Sequence, residues 1–89
     1  MGNISFTQEG FEDYLFWQAQ DRRTLKRVNA LIKDIERHPT DGIGKPEQLS
    51  GNLSGYWSRR IDEKNRMIYR LLADDGVEIH NCRSHYRET

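Results

Sequence analysis

The sequence contains few residues that could cross-link the chain or anchor it in a membrane. It has one cysteine and two prolines in 89 residues. A single thiol cannot form an internal disulfide, so Cys82 is predicted to be a buried structural thiol. No run approaches the roughly 20 apolar residues of a membrane helix, and the first six residues lack the basic and apolar regions of a signal peptide. We therefore expect one small cytoplasmic domain over residues 1–89, with no membrane partner.

An excess of charge is also missing, because 14 Lys and Arg balance 14 Asp and Glu. This balance weighs against nucleic-acid binding, since nucleic-acid binders are usually basic. The charges are nevertheless segregated along the chain. The basic run comprises Arg22, Arg23, Lys26, Arg27 and Lys33, and the acidic one comprises Glu9, Glu12 and Asp13. A basic face is therefore compatible with the neutral total, although a solvated helix surface explains the same run.

Hydrophobic periodicity predicts two helices after a short strand at Asn3–Phe6. Thr7 is placed to cap the first helix and Asp21 the second, and His38-Pro39 stops the second. The apolar residues of the first helix are Phe11, Tyr14, Leu15 and Trp17. Those of the second, which are predicted core positions, are Leu25, Val28, Leu31, Ile32 and Ile35.

The remaining chain is predicted to form a glycine-rich loop and three strands. The loop covers Thr40–Ser54, and the period of two that follows predicts antiparallel strands at Tyr56–Ile61, Arg66–Ala73 and Val77–Arg83. The fold class is thus α+β in the order β-α-α-β-β-β. Both helices are expected to pack on one face of the sheet, which leaves the other face open.

The polar residues of this second half are suited to cleaving RNA through its own 2′-hydroxyl. That reaction needs a general base, cationic groups for a phosphorane and a general acid. Glu47 in the loop is the best candidate base, because the other nearby carboxylates lie in turns. The guanidiniums of Arg59, Arg60 and Arg66 suit phosphate, and the strand period puts Arg60 on one side with Ser58 and Tyr56. A solvated loop glutamate and surface ion pairs to Asp62 or Glu63 explain the same residues without a site.

His85 is the histidine best suited to donate a proton, because it follows the last apolar strand residue. The ordinary imidazole pKa of about 6.5 fits donation near neutral pH. The aromatic side chains of Tyr56, Trp57 and Tyr86 are able to stack on a base, although aromatic residues on strands more often belong to a core. The three histidines lack the spacing of a metal site, so no metal and no cofactor are expected.

These residues occur in a pattern that resembles the YoeB (Txe) toxins of the RelE superfamily. The matching segments are Tyr14-Leu15-Phe16-Trp17-Gln18, Gly44-Lys45-Pro46-Glu47, Asn52-Leu53-Ser54-Gly55-Tyr56-Trp57-Ser58-Arg59-Arg60-Ile61 and Cys82-Arg83-Ser84-His85-Tyr86. The resemblance runs nearly end to end. It differs in the extra Arg87-Glu88-Thr89 and in a charge less basic than that of many family members.

The resemblance implies a ribosome-dependent mRNA endoribonuclease that is the toxin of a type II toxin–antitoxin pair. By position, Glu47 corresponds to the general base, Arg66 to the transition-state clamp and His85 to the general acid, with Tyr86 beside the scissile phosphate. Lys45, Arg59 and Arg60 correspond to supporting phosphate contacts. The implied partners are a YefM-like antitoxin, the ribosome with its mRNA, a second copy in a homodimer, and DNA only through the antitoxin complex.

Two other functions remain open on the sequence. Gyrase-directed toxins share the superfamily fold but lack a full set of base, clamp and acid, so retention of Glu47, Arg66 and His85 favours a nuclease. A non-catalytic module that binds the ribosome, or that represses transcription with its antitoxin, would tolerate Glu47→Ala. The fold alone does not separate these functions.

Overall fold

The structure is a computed structural model that describes residues 3–83, and it places two helices against a five-stranded sheet. In chain order the elements are β1 (Ile4–Phe6), α1 (Gln8–Gln20), α2 (Arg22–Arg37), β2 (Glu47–Gln48), a 3-10 turn (Gly51–Leu53), β3 (Tyr56–Arg60), β4 (Arg66–Leu71) and β5 (Val77–Asn81). The predicted α+β class is confirmed.

Side-chain caps begin both helices. The Thr7 hydroxyl accepts a hydrogen bond from the Gly10 amide at 3.0 Å, and the Asp21 carboxylate accepts one from the Thr24 amide at 3.1 Å. Each cap satisfies an amide that has no partner inside its helix. Helix α2 ends with His38 as its C-cap, directly before the proline. The predicted caps and the predicted stop are therefore confirmed.

The sheet order is β1-β5-β4-β3-β2, with β1 parallel to β5 and the other pairs antiparallel. Strand β2 and the 3-10 turn lie within the stretch predicted to be a loop, because two paired residues are too few to give a periodic signal. Strands β3, β4 and β5 end one or two residues earlier than predicted.

The core lies between the helices and one face of the sheet. Val28, Leu31 and Ile35 of α2 are fully buried, as predicted, and Leu25 and Ile32 pack against them. Helix α1 buries less of its apolar face than expected. Its Trp17 is in the core, whereas Phe11 is 50% and Leu15 43% exposed. The predicted apolar stripe of α1 is therefore wider than the part of the helix that the sheet covers.

Cys82 lies in this core, as predicted, with its thiol 3.8 Å from the Gly10 carbonyl oxygen. Burial raises the pKa of the Cys82 thiol to about 12, and the nearby Asp13 carboxylate adds to the rise. The neutral thiol is therefore the form present at neutral pH, which makes it a packing residue. Within residues 3–83, neither helix is long and apolar enough to cross a membrane.

Helix α1 approaches the sheet so closely at Gly10 that no side chain fits there. A Cβ at this position would lie 2.4 Å from the Ile79 carbonyl oxygen. We predict that Gly10→Ala destabilises the protein by about 1–3 kcal/mol, as overpacking does, despite the better helix propensity of alanine. Urea unfolding measures the change, and the exposed Gln18→Ala on the same helix is the control. Equal midpoints for both variants would contradict this close approach.

Candidate active site

Alternation along β3 divides its residues between two environments. Trp57 packs against the core and Arg59 bonds to Asp34 of α2, so this parity faces the helices. Ser58 and Arg60 have the opposite parity and lie on the face away from the helices, called the open face here, where Arg60 is exposed but Ser58 is completely buried. The predicted separation of the two neighbouring arginines is therefore confirmed.

A pocket of about 390 Å³ lies on the open face at the β2 edge of the sheet. Its lining residues are Lys45, Pro46, Glu47, Arg60 and Arg66. The pairing of strands brings them together, because Glu47 lies opposite Ser58 and Arg60 lies opposite Arg66. The volume falls within the range of roughly 300–1,000 Å³ that is typical of small-ligand sites.

Like charges lie next to one another in this pocket. Arg60 and Arg66 are direct cross-strand neighbours, an arrangement of like charges that destabilises a sheet. In the described part of the chain, the ion pairs join other residues, namely Arg59 with Asp34 and Arg70 with Glu78. Three cations around one carboxylate form a site suited to an anion, and Glu47 is the group there able to take a proton.

Within residues 3–83, the surface ion pairs to Asp62 or Glu63 that would explain these arginines without a site are not formed. The Asp62 carboxylate instead accepts hydrogen bonds from the amides of Lys64 and Asn65 at 2.8 and 2.7 Å. Burial raises the pKa of Asp62, but these bonds and that of the Asn65 side chain outweigh burial and lower it. The carboxylate thus shapes the turn, and Arg60 and Arg66 remain directed to the pocket.

The expectation that Arg59 contacts phosphate does not fit the structure. Its side chain is completely buried on the helix side of the sheet. The guanidinium is 2.5 Å from the Asp34 carboxylate, and it also donates to three backbone carbonyls, those of His38, Asp41 and Ile43. A guanidinium so fully occupied has no donor directed to the pocket, so Arg59 belongs to the scaffold.

Two neighbours complete this buried cluster. Burial alone would raise the pKa of Asp34, but hydrogen bonds from Arg59 and the Ile43 amide outweigh burial and lower it. Asp34 therefore stays ionised opposite the guanidinium. Burial raises the pKa of Tyr69, which keeps its hydroxyl protonated to donate to the Pro39 carbonyl at 2.7 Å. Sequence reasoning did not connect these residues.

Beyond the pocket this face of the sheet is covered rather than open, because Ser58 and Ile68 are completely buried and Asn81 is 6% exposed. The expectation that the whole face is open is therefore wrong. A cross-strand row runs from Glu47 through Ser58 and Ile68 to Asn81. A β-bulge between β4 and β5 leaves His80 without a cross-strand partner, and the His80 ring lies 5.3 Å from that of Tyr56. Within residues 3–83, Ser58 Oγ, His80 Nδ1 and Asn81 Oδ1 are buried without a hydrogen-bond partner. Sequence reasoning missed this row, because no periodicity reveals a bulge.

His85 and Tyr86 lie outside the described residues, so their roles stay predictions. The chain leading to them is held firmly up to Arg83. The Cys82 amide donates to Asp13 at 3.0 Å, and the Trp17 indole donates to the Cys82 carbonyl at 2.7 Å. The Arg83 guanidinium stacks on the Phe16 ring at 3.6 Å. Helix α1 therefore fixes where the chain leaves strand β5.

Comparison with known proteins assigns this arrangement to a family. The model of the YoeB-like toxins of bacterial type II toxin–antitoxin systems matches residues 6–86. This chain belongs to the YoeB toxin family. Its relatives include Toxin YoeB of Synechocystis sp., 54% identical over 94% of this chain and 96% of that protein. Toxin YoeB of Escherichia coli K12 is 51% identical over 93% and 98%.

Solved structures of YoeB toxins share the fold. A YoeB/ParE toxin from Agrobacterium tumefaciens has a TM-score of 0.91 and 41% identity, over 94% of this chain and 99% of that one. A heterotetrameric YoeB–YefM complex from Staphylococcus aureus has a TM-score of 0.86 and 42% identity, over 97% and 99%. The S. aureus YoeB dimer has a TM-score of 0.85 and 43% identity, over 96% of this chain and 98% of that one. The chain is thus a toxin of the type II toxin–antitoxin class.

The two adjacent arginines of this YoeB-family toxin should respond differently to truncation. We predict that Arg59→Ala destabilises the fold by about 3–5 kcal/mol, because it leaves Asp34 partly buried without its counter-ion. Arg60→Ala should change stability by less than about 0.5 kcal/mol, because Arg60 is exposed. Urea unfolding of both variants tests this pair. Similar losses of stability would show that the assignment of Arg59 to the scaffold is wrong.

Proposed function

We propose that this chain is a ribosome-dependent endoribonuclease that cleaves mRNA and thereby inhibits translation. The observation that carries the proposal is the meeting of Lys45, Glu47, Arg60 and Arg66 around one pocket on the open face. A base beside cations is the arrangement that attack of a 2′-hydroxyl on its own phosphate requires. Family membership supports the same activity.

In the proposed mechanism the Glu47 carboxylate takes the proton of the 2′-hydroxyl as that oxygen attacks the phosphorus. Arg66 holds the phosphorane through its planar guanidinium, and Lys45 and Arg60 contribute further positive charge. His85 then gives a proton to the departing 5′-oxygen, with Tyr86 beside the phosphate. The balanced products are a 2′,3′-cyclic phosphate and a 5′-hydroxyl, and no metal takes part in the chemical step.

The ribosome is proposed to supply what the free protein lacks. The chain carries no net charge, so its long-range attraction for RNA is weak. Held on the ribosome, mRNA would meet the pocket in a fixed orientation. The entropy cost of bringing enzyme and substrate together would then be met by ribosome binding rather than by the pocket. The exposed basic side chains of α2, among them Arg22, Arg23 and Lys26, offer a surface for such docking. Free RNA should accordingly be cleaved poorly.

The product ends test this chemistry directly. With purified toxin, ribosomes and mRNA, we expect upstream fragments ending in a cyclic or 3′-phosphate and downstream fragments beginning with a 5′-hydroxyl. Glu47→Ala should lower the single-turnover rate by about 10²–10⁴-fold. The matched control is Glu63→Ala, which removes an exposed carboxylate that does not line the pocket. Fragments with a 3′-hydroxyl would refute the mechanism.

The same experiment separates the nuclease from a non-catalytic binding module. Such a module would arrest growth whether or not residue 47 carries a carboxylate. We expect Glu47→Ala and Arg66→Ala each to abolish growth arrest while ribosome binding persists, since Glu47 and Arg66 lie outside the core. Arrest by the double variant at the wild-type level would favour the binding module.

The proposed cellular partner is a YefM-like antitoxin, and the site of action is the cytoplasm. The S. aureus YoeB–YefM complex supports this partner, and the YoeB dimer supports a homodimer. DNA binding is proposed only for the toxin–antitoxin complex.

We expect the antitoxin to inhibit by covering or displacing the segment that contains His85 and Tyr86. Equimolar antitoxin should abolish cleavage, and hydrogen exchange should change at the end of β5 and around the pocket. A control antitoxin lacking its toxin-binding segment should do neither. Full inhibition with exchange unaltered in both regions would contradict this mode of inhibition.

A further inference from the structure

The loop that carries the candidate base is held from the opposite side of the sheet. Residues 38–46 connect α2 to β2 without regular secondary structure. Buried side chains donate hydrogen bonds to four backbone carbonyl oxygens of this loop. The carbonyls belong to His38, Pro39, Asp41 and Ile43. The donors of these four bonds are Arg59 and Tyr69, which both point to the helix side. The loop is therefore anchored to the core at four positions between His38 and Ile43.

The two donors are themselves locked together. The Arg59 Nε donates to the Tyr69 hydroxyl at 3.1 Å, and that hydroxyl donates to the Pro39 carbonyl at 2.7 Å. Asp34 joins the cluster from α2, because its carboxylate binds Arg59 and also accepts from the Ile43 amide at 3.1 Å. Helix, strands and loop thus meet at one buried hydrogen-bonded cluster, defined here as the Arg59–Asp34–Tyr69 cluster.

From this cluster the backbone turns directly into the pocket. The Gly44 carbonyl accepts from the Arg60 amide at 2.7 Å, and Gly44 has a positive φ of 81°. A Cβ at Gly44 would come within 2.7 Å of Leu31, so the loop lies tightly on the core there. Lys45 follows with φ 52°, a left-handed conformation that is unusual for a residue other than glycine. Glu47 comes two residues later, already paired with β3.

We propose that Arg59, Asp34 and Tyr69 are positioning residues that set the place of Lys45 and Glu47 opposite Arg60 and Arg66. This inference rests on the proposed nuclease function. Catalytic groups carried on loops need a surrounding shell that restricts them, since a misplacement of about 1 Å can cost about 10²-fold in rate. The two adjacent arginines have different roles. Arg59 anchors the loop, and Arg60 lines the pocket that the loop completes.

Tyr69→Phe is the sharpest test, because it removes one hydroxyl and leaves the ring that packs in the core. The matched control is Tyr14→Phe, which removes a hydroxyl bonded to Asn29 at 2.8 Å between the two helices. Both variants are assayed at a temperature where urea curves show each to be fully folded. We expect Tyr69→Phe to lower the single-turnover rate roughly 10- to 100-fold with ribosome affinity unchanged, and Tyr14→Phe to do neither.

A double-mutant cycle separates positioning from general loosening. If Tyr69 acts through the base loop, its removal should have little further effect once Glu47→Gln has disabled the base. Loss of fold would instead lower the residual rate of the Glu47→Gln variant by the same factor. Multiplicative effects in the double variant would therefore overturn the proposal, as would equal rates for Tyr69→Phe and Tyr14→Phe.

Hydrogen exchange gives a readout that does not depend on activity. The Ile43 amide of the loop donates to the Asp34 carboxylate of α2, and the Arg60 amide of β3 donates to the Gly44 carbonyl of the loop. Tyr69→Phe should speed exchange at these amides, and Tyr14→Phe should not. Unchanged exchange would refute the anchoring role. If wild-type protein cuts no RNA while exchange responds as expected, the nuclease proposal fails and the anchoring of the loop stands.

Discussion

The structure depends on one charge pair, between the completely buried Arg59 of β3 and the partly buried Asp34 of α2. A completely buried guanidinium is stable only when its charge and its donors are all matched. Here a carboxylate, a tyrosine hydroxyl and three carbonyl oxygens provide that match. Because the carbonyls belong to the loop after α2, the requirement of a single side chain determines the course of the loop from His38 to Ile43. The pair therefore acts as a joint between helix, sheet and loop.

In the pocket on the other face of the sheet, charged side chains lie together without the pairing seen for Arg59 in the described part of the chain. Arg60 and Arg66 lie side by side, and the neighbouring lysine and glutamate form no ion pair with them in the described part of the chain. Like charges therefore lie together in the pocket, whereas the charges of the Arg59–Asp34–Tyr69 cluster are paired. Such unfavourable local arrangements concentrate at functional sites. The buried polar atoms of Ser58 and Asn81 on the same face follow this pattern. The paired cluster and the pocket with its unpaired charges thus lie on opposite faces of strands β3 and β4.

Local signals in the sequence predicted much of this arrangement. The caps at Thr7 and Asp21, the α2 stripe and the parity of Arg60 depend on neighbours within a few residues, so they could be read directly. The burial of Arg59 could not, because its partner Asp34 is 25 residues away and an arginine on a strand is usually exposed. The exposure of Phe11 and the bulge beside His80 likewise depend on how far the sheet extends and how its strands are paired. The roles of His85 and Tyr86 remain predictions from resemblance.

The order of strands has a consequence for when the chain can complete its sheet. Strand β5, at the end of the described chain, lies between β1 and β4, and β1 has no other partner in the sheet. A nascent chain that lacks residues 77–81 cannot pair its first strand, and the core residues Val77 and Ile79 are missing from it. Pairing of the first strand must therefore wait until residues 77–79 have been synthesised, in contrast to domains whose N-terminal parts fold first.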